Sequence, residues 1–154
     1  MKQRKQRLIL EQTDRKLLPY IPLVQSIVPT EGWINTIRKG LNISLRQLGN
    51  KLGVSAQAVK GLEISEKNRT ITLQSLDDLA KAIDMKLIYA LVPIDGSLEE
   101  LLNKKATAIA EQIVNRTSNT MKLEDQENSS KRLEKAVTEK IAELKNDMPQ
   151  YLWD

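Results

Sequence analysis

Residues 44–63, SLRQLGNKLGVSAQAVKGLE, restrict the fold more tightly than any other part of this chain. Ser44 is a good helix N-cap, and Leu45, Leu48 and Leu52 follow it at helical spacing. Gly53 is placed to end that helix as a C-cap glycine. Ser55 caps a second helix in which Val59 and Leu62 face inward while Gln57 and Lys60 face outward. Gly49 lets the two helices cross closely. Two short helices, a tight turn and a close crossing are the geometry of a helix-turn-helix, which places its second helix in the major groove of DNA. The alternative is an ordinary helical hairpin.

Composition narrows the rest. A chain of 154 residues with 40% apolar content suits one domain plus an extension. With two Trp, three Tyr and no Phe, the core must be built from Leu, Ile, Val and Ala, as in a mostly helical protein. There is no cysteine, hence no disulfide or thiolate metal site, and no histidine, which removes the commonest general base and metal ligand together. No enzyme activity, metal or other cofactor is expected. No apolar run approaches the ~20 residues of a membrane helix. The basic start MKQRKQRLIL lacks the apolar centre and cleavage site of a signal peptide, so a reducing cytoplasm is the expected location.

Positive charge is unevenly placed. Residues 1–18 hold six Lys/Arg against Glu11 and Asp14. Residues 38–69 hold seven (Arg38, Lys39, Arg46, Lys51, Lys60, Lys67, Arg69) against Glu63 and Glu66. From residue 96 onward, nine basic residues meet eleven acidic ones. Clustering around the two-helix element is what a phosphate-binding face requires.

In chain order, residues 2–18 read as a basic amphipathic helix, open to three roles: partner binding, a DNA arm, or support for the next domain. Prolines 19, 22 and 29 predict an extended linker, so residues 1–29 form a first section. Thr30 is a candidate cap for a helix with Trp33, Ile34 and Ile37 inward, ending near Gly40. Arg38 and Glu63 are placed to pair, tying that helix to the second helix of the central element. Thr72 should cap a helix carrying Leu73, Leu76, Leu79, Ala80 and Ile83 inward. MKLIYALVP then predicts a short β-strand over 87–92 that needs a partner, a hint of dimerisation. Residues 30–95 are thus the DNA-binding section.

Residues 96–154 form a helical extension for dimerisation or partner binding. Ser97 caps a helix with Leu98, Leu101, Leu102, Ile109, Ile113 and Val114 inward. A polar break at 125–130 precedes another with Leu133, Ala136, Val137, Ile141 and Leu144. Tyr151, Leu152 and Trp153 close the chain and should dock, on their own domain or on a partner. The expected class is mostly α, with a helix-turn-helix, a short β-strand and a C-terminal helical extension.

Two resemblances rest on these residues. Ser44 to Glu63 resembles the helix-turn-helix of the Cro and lambda-repressor type. GWINTIRKGLNISLRQLGNKLGVSAQAVKGLE, ITLQSLDDLAKAIDMKLIYALVP, GSLEE and the final LWD together are similar to the mobile mystery protein A family. That resemblance implies a lambda-repressor-like domain in a regulator paired with a Fic-domain enzyme, with direct restraint of that toxin as the alternative role. Many Fic inhibitors carry Ser/Thr, three residues, Glu, then Gly or Asn. Thr107 to Gln112, Thr120 to Asp125 and Ser130 to Lys135 each miss the last position, so the usual inhibitory-glutamate mechanism is unsupported.

On double-stranded DNA, the expected base readers are Gln57, which can pair bidentately with adenine, Ala56 against a thymine methyl, and Lys60 toward guanine or phosphate. Ser44, Gln47, Lys51, Ser55, Lys67, Asn68 and Arg69 are the expected backbone contacts. Gln47 could alternatively brace Gln57. A homodimer is expected, because one recognition helix reads too few base pairs to find a site in a genome.

Overall fold

A computed structural model describes residues 1–123 and 130–154. Most of the polar break expected at 125–130 lies outside these residues. Seven α-helices follow one another: α1 (Lys2–Leu17), α2 (Trp33–Gly40), α3 (Leu45–Leu52), α4 (Ala56–Lys67), α5 (Leu73–Ala82), α6 (Leu98–Leu123) and α7 (Ser130–Asp147). Single 3-10 turns lie at Ile21–Gln25 and Gln150–Trp153. The chain divides into two compact units, residues 25–89 and residues 1–24 with 90–154. No helix among the described residues is long and apolar enough to cross a membrane.

In the unit of residues 25–89, Ile34, Leu48, Val59, Leu79 and Ile83 form the core, ringed by Ile37, Ile43, Leu45, Leu52, Leu62, Ile71 and Leu76. Each buried aliphatic side chain contributes about 1.5–3 kcal/mol over its exposed state. Local chemistry sets the helix ends. Ser44 and Gln47 form a reciprocal capping box, Ser55 accepts from the Ala58 N–H, and Thr72 accepts from the Ser75 N–H. Gly53 closes α3 in the left-handed conformation at φ 72°.

Thr30 does not cap α2. The N-cap is Gly32, which has no side chain, and the carboxylate of Glu66 on α4 takes its place. It accepts from the Trp33 N–H at 2.7 Å and from the Ile34 N–H at 3.0 Å. Trp33 is half exposed rather than a core anchor. Ile34, Ile37 and Arg38 occupy the inward face, and one residue before Ile34 lies about 100° around the helix. Leu73, the first residue of α5, is likewise exposed, ahead of the stripe Leu76, Leu79, Ala80 and Ile83.

The strand expected at 87–92 is absent, and no strand occurs among the described residues. The physical reason is pairing: an extended segment becomes a strand only beside another, and this chain offers no second one.

In the second unit, α6 and α7 run antiparallel, with α1 packed on both. Leu102, Ala106, Ala110, Leu144 and Leu152 form its core, with Leu10, Val137, Ile141 and Met148 against it. Two alanines on α6 allow the close approach, and sequence periodicity read from large residues alone passes them over. The basic N-terminal helix is therefore part of the body formed with the C-terminal helices. Asp14 of α1 caps α6, accepting from the Leu98 N–H at 2.8 Å and the Glu99 N–H at 3.1 Å, while Ser97 accepts from the Glu100 N–H. Glu99 pairs with Arg7 of α1 and Lys145 of α7, each at 2.9 Å. Burial would raise the Glu99 carboxyl, but these two cations outweigh it and hold it below its ordinary value. The terminal 3-10 turn buries Leu152 and leaves Tyr151 and Trp153 about half exposed.

Candidate nucleic-acid interface

Helices α3 and α4 are joined by residues 53–55 alone, so their crossing is tight. A Cβ at Gly49 would lie 2.6 Å from the Val54 carbonyl oxygen and 3.2 Å from the Ser55 carbonyl carbon. Only glycine fits there.

Beneath the surface, Glu63 is almost fully buried and takes three hydrogen bonds. Arg38 Nε donates to Oε1, Arg38 Nη2 donates to Oε2 at 3.3 Å, and the Asn35 amide donates to Oε2 at 2.8 Å. Arg38 Nη1 donates to the Ile43 carbonyl at 2.8 Å. Burial pushes the Glu63 carboxyl up, but the bonds from Arg38 and Asn35 and the guanidinium charge win and hold it low. This network fixes α4 against α2. It also takes Arg38 out of the set of cations available to an outside ligand.

The same packing turns both nearby carboxylates away from the open face of α4. Glu63 points into the core and Glu66 is committed to the N-terminus of α2. Residues 44–62 contain no Asp or Glu at all. On that acid-free surface, Gln57, Ala58, Lys60 and Gly61 of α4 are exposed, as are Arg46, Gln47 and Lys51 of α3, while Ala56 is partly covered. A Cβ at Gly61 would meet nothing within 4 Å, so no contact inside the protein requires glycine there.

The expected backbone-contacting residues differ in what they are free to do. Ser44 Oγ accepts from the Gln47 N–H at 3.1 Å and Ser55 Oγ from the Ala58 N–H at 3.0 Å, which leaves each hydroxyl proton available to an outside oxygen. Gln47 does not brace Gln57: its side-chain oxygen turns back to accept from the Ser44 N–H at 2.8 Å, completing the capping box. Lys51 and Arg69 are exposed and have no ion pair among the described residues. Lys67 pairs with Glu31 at 2.8 Å, and this hydrogen bond and charge keep the Glu31 carboxyl below its usual value. Asn68 ends α4, and Arg69 sits in the left-handed region at φ 60°.

Sequence reasoning missed Glu66, Asn35 and Asp14. Each acts across the chain, on a partner 28 to 85 residues away, and no local spacing signals such a bond. The exposed turn at Tyr151 and Trp153 belongs to the other unit. No family model matches this chain, and no curated protein or solved structure does.

Proposed function

We propose that residues 25–89 are a lambda-repressor-like helix-turn-helix domain and that the protein is a sequence-specific, homodimeric DNA-binding regulator that represses its own operon. One observation carries this reading: the open face of α4 presents Gln57, Lys60, Ala58 and Gly61 on a surface whose sequence, from 44 to 62, contains basic residues and no acid. A phosphate-lined groove repels carboxylates and rewards cations, and a carboxamide between them can read adenine. The buried bond network of Glu63 and the Glu66 cap support it by holding α4 rigidly, as base readout requires.

In this reading Gln57 pairs with adenine N6 and N7 and Lys60 reaches guanine or phosphate. Ala56 is only partly exposed and makes at most an apolar contact. Ser44, Ser55, Lys51, Asn68 and Arg69 hold phosphates, and Lys67 must release Glu31 to do so. Sequencing the DNA that co-purifies with the protein tests the whole proposal. An enriched short motif arranged as an inverted repeat supports it; a sequence composition equal to bulk genomic DNA refutes it.

A second reading, an antitoxin that holds a Fic-domain toxin directly, is favoured by one observation. Trp153 and Ile9 stay about half exposed beside an apolar groove of about 380 Å³ that also includes Leu98, Leu101 and Met148. A binding titration against the purified toxin decides it, with loss of affinity in Trp153→Ala as the expected result.

A further inference from the structure

The segment that leaves α5 carries an unusual combination of features. From Lys86 to Gly96, no backbone N–H or carbonyl is hydrogen-bonded among the described residues. Yet this stretch is rich in residues that favour strands and is highly exposed: Ile88 63%, Tyr89 71%, Leu91 89% and Ile94 87%. Beside its first residues lies an apolar groove of about 330 Å³, walled by Trp33 and Ile37 of α2, Leu76 and Ala80 of α5, and Met85 and Ile88. An unpaired run of donors and acceptors flanked by apolar side chains is a template for another extended strand.

We infer that the occupant is a second copy of the same segment, paired antiparallel across a two-fold axis to make a two-stranded β-ribbon that covers the groove. Three observations select a copy of this chain. The apolar faces of α6 and α7 are already used against each other, against α1 and against Leu152, so they cannot hold the dimer. Among the described residues, no other extended apolar segment is free to pair within the chain. Charge permits it as well: between 85 and 94 the only charged residue is Lys86.

Geometry restricts the register. A two-fold axis normal to an antiparallel pair keeps each residue on its own face, so a residue at the axis faces its own copy. With Tyr89 on the axis, Lys86 lies opposite Val92; with Ala90 there, it lies opposite Ile94. Neither register brings the two lysines together, and Pro93, which lacks an N–H, stops the ladder beyond. The two-fold DNA reading proposed above depends on such pairing, whereas the pairing requires no DNA.

Light scattering on the full chain without DNA therefore tests it separately. The expected wild-type mass is two copies, and Leu91→Glu, altering a side chain almost fully in solvent, should give one copy with an unchanged melting temperature. The chain has no cysteine, so a single introduced one reports only on its own copy. Under mild oxidation, Tyr89→Cys or Ala90→Cys should form a disulfide-linked dimer. A wild-type mass of one copy, a dimeric Leu91→Glu or the absence of cross-linking in both cysteine variants would overturn the inference. A one-copy mass would leave the groove to a strand from another protein. Gln57-dependent binding to a single half-site would survive that outcome, so the two ideas fail independently.

Discussion

At the scale of single residues, the buried Arg38–Glu63 pair and two glycines give the sharpest expectations. Glu63→Ala leaves a guanidinium buried with only the Ile43 carbonyl and should cost about 3 kcal/mol in denaturant unfolding. The pH dependence follows from the same contact. The Glu63 carboxyl is held below its ordinary value when folded. Its contribution is therefore complete above the unfolded value, about 4.3, and is lost as pH falls through the lower folded value. Wild type should lose more stability than Glu63→Ala between pH 6 and about pH 3; equal losses would show that the pair does not titrate this way. The glycines should respond oppositely to one substitution. Gly49→Ala forces a Cβ onto the Val54 carbonyl and should cost about 1–3 kcal/mol. Gly61→Ala meets nothing and should stabilise by about 0.5–1 kcal/mol. Thermal melts of the two variants on opposite sides of wild type are the expected result.

At the scale of elements, what was legible in the sequence was what is decided locally. Ser44, Ser55, Thr72 and Ser97 mark helix starts because a cap acts within three residues, and the helix boundaries follow. The start of α2 was misread because its cap, Glu66, comes from another helix. The role of α1 was open among three options because Asp14, Arg7 and Leu10 engage residues about 80 or more positions away. The strand at 87–92 was expected from residue types alone, which report a preference for pairing and not the presence of a partner. Within the interface, the outward placement of Gln57 and Lys60 was readable from helical period; the diversion of Gln47 and Lys67 into internal bonds was not. The terminal turn gives a clear contrast. Leu152→Ala empties a fully buried site and should cost about 3 kcal/mol, while Trp153→Ala should change stability by less than about 1 kcal/mol. Similar losses from both would place Trp153 in the core.

At the scale of the whole molecule, the account joins a DNA-reading unit to a helical body through an extended segment open to a second copy. Cations with no internal partner should act alike on every DNA sequence. Lys51→Ala should thus weaken specific and non-specific binding together and flatten the slope of log K against log salt by about one. An unchanged slope would remove Lys51 from the interface. The claim on which everything depends is that α4 reads bases. It is tested most directly by titrating wild type and Gln57→Ala against the selected site and against an unrelated duplex of equal length at one salt concentration. The account predicts that Gln57→Ala loses about 1–3 kcal/mol on the selected site and almost nothing on the unrelated one. Equal losses on both duplexes, or none on either, would contradict it.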